Sequence, residues 1–233
     1  MRQHSGIGVL DKAMGVLHAV AQRPCNLADL CERTALPRAT AHRLAVGLET
    51  HGMLCRTPDG LWQIGPRIGE LATTIADPLL EAAAHVLPRL RDITGESVQL
   101  YRRDGNERVC VASAEPPSGL RDTVPTGTRL PMTAGSGAKI LAAWSGEQVR
   151  HDLLVGARYT ERTLAEVRRR GWAQSIAERE SGVASVAAPI RDGRGVVVAA
   201  ISVSGPTERI GRRPGTRWAD DLLAAAEALH TRL

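Results

Sequence analysis

Two groups of residues have the types and spacing to act on a partner. The first is the run Arg38-Ala39-Thr40-Ala41-His42-Arg43. At about 100° per residue in a helix, Ala39, His42, Arg43 and Val46 share one side, while Ala41, Leu44, Ala45 and Leu48 share the other. Guanidinium groups offer paired donors that match guanine edges and phosphate. A helix of this kind enters the major groove with its N-terminal residues nearest the bases. Base readout is therefore expected from Arg38, His42 and Arg43, and phosphate contact from Thr40 and from Arg56 further along. A plain solvated helix face has the same composition, so the neighbouring elements must decide between the two.

The second group is Thr133-Ala134-Gly135-Ser136-Gly137-Ala138, which leads directly into an apolar helical pattern. Small residues there leave backbone N–H groups accessible, and a helix N-terminus attracts a carboxylate. A P-loop is not matched, because Lys139 follows Ala138 without the required Lys-Ser/Thr ending. Further on, Ser202 and Ser204 alternate with Ile201 and Val203, so their hydroxyls point to one face of a strand. Buried hydroxyls need partners. Glycines used only for a tight turn, and serines bonded only to nearby backbone, are the blander alternatives.

The elements that must position the first group follow in a recognisable order. Val9, Ala13, Val16, Leu17 and Val20 form one helical stripe, stopped by Pro24. Residues 27–33 form a short helix with Asn26 as its cap. Thr34-Ala35-Leu36-Pro37 is a turn, and a third helix runs from Arg38 to about His51, before Gly52. Met53–Arg56 and Leu61–Ile64 flank an Asp59-Gly60 turn, which reads as a β-hairpin. Helix, helix, turn, helix, hairpin is the order of a winged helix-turn-helix. Residues 1–8 read as a flexible arm carrying Arg2 and His4, and residues 67–76 as a linker helix with Ile68, Leu71 and Ile75 on one side.

Beyond Asp77-Pro78 comes a helix to about Thr94, then a hairpin of Val98–Arg102 and Val109–Ala114 around Asp104-Gly105-Asn106. Helices are expected at Ser136–Trp144, from Thr160 to about Arg170, and at Ala219–Leu233. Val183–Ile190 and Val196–Val203 form a further hairpin, apolar enough to be the sheet centre. Mixed hairpins and helices indicate an α+β fold. The expected domains are residues 1–65, a linker helix at 66–77, and residues 78–233.

Length and composition set bounds on function. The chain has 233 residues, enough for two modest domains, with 43% hydrophobic residues and no Phe, so its cores must be aliphatic. The net charge of +5 is weakly favourable to polyanions. The first domain is close to charge-balanced, so any DNA face there must be local. Cys25, Cys31, Cys55 and Cys110 fit no metal or CxxC spacing, and no cofactor motif is found. There is no signal-peptide pattern and no apolar run of about 18 residues, so a cytoplasmic protein is expected. The scattered histidines and the lack of a GxSxG motif make an enzyme the lesser alternative. Another is an adaptor whose winged helix binds protein.

The chain resembles the IclR family of bacterial regulators over nearly its whole length. One match is Leu36-Pro37-Arg38-Ala39-Thr40-Ala41-His42-Arg43-Leu44, followed by His51-Gly52-Met53-Leu54. The other, more specific for its spacing, is Gly171-Trp172-Ala173 leading to Gly182-Val183-Ala184-Ser185-Val186-Ala187-Ala188-Pro189-Ile190, then Ala199-Ala200-Ile201-Ser202-Val203-Ser204-Gly205-Pro206. Ser118-Gly119-Leu120-Arg121-Asp122-Thr123-Val124-Pro125 and Arg168-Arg169-Arg170-Gly171-Trp172-Ala173-Gln174-Ser175 look like an actinobacterial subgroup that controls leucine and other amino-acid biosynthesis.

The resemblance implies a GAF-like sensor domain with an antiparallel sheet, a dimer through the DNA-binding domains and linker helix that can pair into a tetramer, and a double-stranded operator. It places effector contacts at Gly119, Asp122, Leu130, Ser136, Gly137, Ser175, Val183, Ser185, Ser202 and Ser204. Ser185 and Ser175 stand where relatives often carry Cys and an acidic residue. Neutral serines suit a ligand with its own carboxylate, an amino acid or a keto or hydroxy acid, whose branched carbons would meet Leu120, Leu130 and Val183. The expected function is a ligand-responsive regulator, a repressor of amino-acid biosynthesis genes. Regulation of a different catabolic operon is the alternative within the family.

Overall fold

The computed structural model of the protein describes residues 5–73, 77–211 and 213–230. The chain divides into two compact units, Met1–Ala76 and Asp77–Leu233. Arg2, His4 and Ile75, which the sequence reading placed in an arm and a linker helix, lie outside the described residues.

The first unit contains a helix-turn-helix. Helix α1 spans Gly8–Gln22, α2 Leu27–Thr34 and α3 Arg38–Thr50. The side chain of Asn26 accepts from the backbone of Ala28 and Asp29, while Asp29 reaches back to the Asn26 N–H, a complete capping box. Ala35 takes a left-handed conformation at the end of α2 and turns the chain into α3. Strands β1 (Leu54–Arg56) and β2 (Trp62–Ile64) pair antiparallel, and Trp62 exchanges both backbone hydrogen bonds with Cys25. That bridge ties the hairpin to the segment ahead of α2. Gly65 then permits a close crossing, since a Cβ there would lie 2.2 Å from the Gly52 carbonyl oxygen. Helix α4 follows at Pro66–Thr73.

Val16, Val20, Leu30, Ala41, Ala45, Leu54 and Trp62 form the first unit's core. The stripe expected on α1 is only half used. Val16 and Val20 are buried, but Val9 is 65% exposed, because the core reaches only the C-terminal half of the helix. Ile7, Leu10 and Met14 are exposed beside it.

The second unit is built on a six-stranded antiparallel sheet of order β5-β4-β3-β8-β7-β6. Its strands are β3 (Ser97–Asp104), β4 (Glu107–Ala114), β5 (Arg129–Pro131), β6 (Ala173–Ile176), β7 (Val183–Arg191) and β8 (Val197–Pro206). On one face, α5 (Pro78–Thr94) and α10 (Pro214–His230) cover an aliphatic layer that includes Leu87, Leu100, Val186, Ile201 and Leu222. On the other, α6 (Ser136–Ala143) and α8 (Glu161–Arg170) pack with Tyr101, Cys110, Ala187 and Ala200. Helix α7 (Glu147–Leu154) joins this layer, and the short α9 (Thr207–Ile210) follows β8. Asp77 caps α5 with Pro78 behind it, and the Thr160 capping box starts α8.

The apolar hairpin expected at the sheet centre is β7 and β8. Only β8 is central, held between β3 and β7. Strands β5 and β6 and helices α7 and α9 had no sequence expectation. The closing helix starts at Pro214 rather than Ala219. No helix among the described residues is long and apolar enough to cross a membrane.

Candidate functional site

Helix α3 rests on its small residues. Ala41 and Ala45 are fully buried, and Leu44 and Leu48 pack partly against the same core. Alanines at the contact let α3 lie close to α1 and α2, which leaves the opposite side outermost. Arg38, Ala39, His42, Arg43 and Val46 are exposed there, and Thr40 is half-buried in the first turn. The side chains of Arg38 and Arg43 make no hydrogen bond or ion pair among the described residues. The His42 ring meets Trp62 edge-on, with ring centres 6.0 Å apart.

Arg56 is exposed on the hairpin, as a phosphate contact would need, but it is not free. Its guanidinium stacks 3.7 Å above the Trp62 ring, its Nε donates to Glu49 at 3.3 Å, and its Nη1 donates to the Gly60 carbonyl at 2.7 Å. Glu49 also accepts from Trp62 Nε1. Arg56 therefore holds the hairpin against α3 as well as facing outward.

The second unit carries a cavity on the α6 face of the sheet. The strand register explains its lining. Ser175, Ser185, Ser204 and Ser97 are directly paired across β6, β7, β8 and β3, so their side chains form a row on one face. Ser202 and Gln99 form the next row. Ser136, the first residue of α6, donates to the Ser185 hydroxyl at 2.7 Å and lies 3.3 Å from that of Ser202. Ser204 donates to Gln99 Oε1. Gly137 packs closely here, since a Cβ would lie 3.1 Å from a Tyr101 ring carbon and the ring would have to give by a few tenths of an ångström. The cavity itself is small, about 20 Å³, and opens in part to solvent.

Of the residues expected to line such a site, Asp122, Ser136, Gly137 and Ser175 do so, as do Val183, Ser185, Ser202 and Ser204. Gly119 and Leu130 do not. Gly119 sits in an exposed loop, and Leu130 belongs to edge strand β5, where it pairs with Arg108 and packs into the second core. Leu120, expected to meet ligand carbons, is 71% exposed and also outside the cavity.

Tyr101, Arg108, Gly135 and Arg179 line the cavity and were not expected. Arg108 was legible in principle. Burial alternates along β4 as half-buried Glu107, buried Arg108, half-buried Val109 and buried Cys110, and an arginine at an inward position stands out. Starting the strand at Val109 hides it. Arg179 lies in a loop without periodicity and gave no local signal.

The cavity is rich in positive charge. Arg108 is 3% exposed, and its Nη1 donates to the carbonyls of Pro131 and Ala134. Its Nε is buried with no hydrogen-bond partner among the described residues. Burial pushes its guanidinium below the ordinary value. Arg179 donates to Asp122 at 2.7 Å and pairs with Glu180 at 3.2 Å. Burial alone would lower Arg179, but the charge and hydrogen bond of Asp122, with smaller contributions from Tyr101 and Glu180, together hold the group above its ordinary value. Next to the cavity, Lys139 donates to Glu178 and to the Gln174 carbonyl, and Glu178 accepts from the Gly135 N–H at the start of α6.

Comparisons with known proteins agree with this architecture. Residues 72–231 match the family described as bacterial transcriptional regulator IclR, C-terminal, and residues 9–58 match the IclR helix-turn-helix domain. The chain is 29% identical to the HTH-type transcriptional regulator BhcR of Paracoccus denitrificans, covering 96% of this chain and 86% of that one. It is 29% identical to the glycerol operon regulatory protein of Streptomyces griseus, covering 86% of this chain and 85% of that one. Among solved structures it is similar to an IclR homolog of Microbacterium hydrocarbonoxydans complexed with 4-hydroxybenzoate. That similarity has a TM-score of 0.87 and 27% identity, over 97% of this chain and 98% of the other.

Proposed function

The chain belongs to the IclR family of bacterial transcriptional regulators, and on that premise we propose that it is an effector-responsive repressor that binds double-stranded operator DNA through α3. The observation that carries this reading is the outward side of α3, where Arg38, His42 and Arg43 are exposed. Arg38, His42 and Arg43 read bases, while Thr40 and Arg56 contact phosphate. Residues 1–65 form the DNA-binding domain, 66–77 the linker helix, and 78–233 the effector domain.

Two copies act together as a homodimer that can pair into a tetramer. Exposed Leu10 and Met14 on α1, with Ile7 just ahead of it, supply an apolar strip suited to self-association. The effector site is the serine-lined cavity, with Asp122, Gly137, Ser175 and Val183 as contacts and Gly119 and Leu130 at its margins. An effector changes operator affinity by the difference between its affinities for the two states of the dimer. Relatives act on varied operons, one of them the glycerol operon by its name. Control of leucine and other amino-acid biosynthesis rests on the sequence stretches around Ser118 and Arg168.

The test is a mobility shift on the DNA upstream of the protein's own gene and on leucine-pathway promoters, with and without leucine and isopropylmalate. Binding that weakens steeply with salt is expected, because phosphate contacts release counterions. Binding to none of these duplexes at low salt would remove the proposed targets.

A further inference from the structure

The first unit carries a carboxylate among the arginines proposed to meet DNA. Glu49 lies in the last turn of α3, and Arg56 and Trp62 are direct partners across the hairpin that packs beside it. One oxygen of Glu49, Oε2, accepts from Arg56 Nε at 3.3 Å and from Trp62 Nε1 at 3.0 Å. Trp62 is 1% exposed, so its indole N–H needs that partner. The Arg56 guanidinium stacks 3.7 Å from the centre of the same ring, and His42 meets the ring edge-on. Neither the helix nor the duplex favours a carboxylate in this place. An acidic side chain in the last turn of a helix opposes the helix dipole, and one beside a phosphate contact repels the phosphate.

We infer that Glu49 is a positioning residue that restrains DNA binding: it fixes Arg56 and Trp62 against α3 and neutralises the Arg56 charge until a phosphate takes the carboxylate's place. This deepens the proposed function and rests on α3 and the hairpin being the DNA-contacting surface. A phosphate must compete with Glu49 for Arg56, so the contact yields less affinity than a free arginine would give. The freed carboxylate also recaptures a cation from solution, which cancels the counterion that the phosphate releases. Backbone contacts carry no sequence information, so the restraint falls on every duplex alike. On random DNA, where backbone contacts alone hold the protein, it acts on all of the binding there is.

The blander role for Glu49 is to hold the hairpin in place and nothing more. Glu49→Gln separates the two, because its amide oxygen can still accept from Trp62 and Arg56 while the charge is lost. Fluorescence anisotropy on the full-length protein reads binding to two labelled duplexes, the DNA upstream of the protein's own gene and a scrambled sequence of the same length, between roughly 50 and 200 mM salt. Glu49→Gln is expected to bind both duplexes about three- to fivefold tighter at low salt, the scale of one exposed ion pair. The slope of log affinity against log salt is expected to steepen by about one, because one more counterion is released. A purely structural Glu49 would leave that slope unchanged and the binding equal or weaker, and this result would overturn the inference.

Two further variants guard the reading. Glu32→Gln removes an equal charge from an exposed position on α2 that has no ion pair among the described residues. If it tightens binding as much as Glu49→Gln does, net charge alone is responsible and the role of Glu49 is wrong. Glu49→Asp keeps the charge but is one methylene shorter, so it cannot reach Trp62 and Arg56 together. It is expected to lower affinity for both duplexes with the salt slope unchanged, and it decides the matter if Glu49→Gln does not fold. A Glu49→Asp protein with the parent's affinity would mean that the two bonds position nothing. If the unaltered protein binds and Glu49→Gln binds no tighter, the inference alone fails. If the unaltered protein and every variant leave both duplexes unbound at low salt, the proposed function fails with it.

Discussion

Arg179 Nη2 donates to Asp122 Oδ1 at 2.7 Å, and this ion pair joins two loops 57 residues apart in the chain at the wall of the cavity. Asp122 is 8% exposed and is the carboxylate closest to where an anionic ligand would sit. It competes with any such ligand for Arg179. Asp122→Asn keeps the shape, removes the negative charge, and leaves Arg179 with the more exposed Glu180. An acid that binds the cavity is expected to bind this variant about tenfold tighter, since a unit charge removed at this range in a partly buried site is worth a few kcal/mol at most. Calorimetric titration of both proteins with the same acid checks it. Unchanged or weaker binding would mean that Asp122 contacts the ligand as a hydrogen-bond acceptor.

Arg43 and Arg56 lie in the same unit but should respond differently to alanine. Arg43 is exposed and has no partner among the described residues, so Arg43→Ala is expected to change unfolding free energy by less than about 0.5 kcal/mol. Its loss of DNA affinity should be about 1–3 kcal/mol, enough to remove a mobility shift at moderate protein concentration. Arg56→Ala removes the stack on Trp62 and the bond to Glu49, at a stability cost of about 1 kcal/mol. It should also lower DNA affinity equally for all sequences. Urea unfolding and mobility shifts on specific and scrambled duplexes measure all four quantities. An Arg43→Ala protein that binds with unchanged affinity and sequence preference would remove α3 from the DNA.

These contrasts follow from which signals are local in sequence. Asn26, Asp77 and Thr160 act on backbone groups two or three residues away, so their caps could be read directly from the chain. The hydroxyls of Ser202 and Ser204 share a face because a strand alternates, and that too is local. Their partners are not. Ser136 meets Ser185 at 49 residues' separation, and Arg179 meets Asp122 only after both loops are placed. Strands β5 and β6 were missed because three or four residues at a sheet edge carry too little alternation to register. Gly119 and Leu130 show the opposite case, residues outside the cavity's lining. Family likeness put them at the site, and the fold places one in an exposed loop and the other on an edge strand.

Asp77 gives the second unit a pH-dependent component of stability. It caps α5 and forms an ion pair with Arg102 on β3. The hydrogen bonds from Arg102 are the main reason that its carboxyl lies below the ordinary value of 3.8. A depressed carboxyl stabilises the fold above its unfolded value and loses that contribution as pH falls through the folded one. Asp77→Asn keeps a capping side chain but loses the charge. The variant should be about 1 kcal/mol less stable at neutral pH. The difference should shrink below pH 3.8 and close at more acid pH. Urea unfolding of both proteins across that range checks the sign. A gap that widened on acidification would contradict the ion-pair assignment.

Gly205 meets the most demanding packing restraint on the sheet. A Cβ at this position would lie 2.1 Å from Glu96 Oε2 and 2.8 Å from its carboxyl carbon. Glu96 is 1% exposed and cannot simply move aside, because Arg209 holds both of its oxygens in a paired contact. Arg209 also donates to the Leu120 carbonyl, so the same guanidinium anchors the loop that carries Asp122. Gly205→Ala must therefore displace a buried carboxylate from its cation; with Arg209 45% exposed and so partly screened by solvent, the cost is about 1–3 kcal/mol. The expected result is a destabilisation of that order in urea unfolding, together with weaker ligand binding as the Asp122 loop loses its anchor. Glu96→Gln combined with Gly205→Ala should recover part of the loss, because a neutral amide tolerates displacement better than a carboxylate. A Gly205→Ala protein as stable as the parent would show that β8 shifts to make room, and that the Glu96–Arg209 contact is not fixed by the strand behind it.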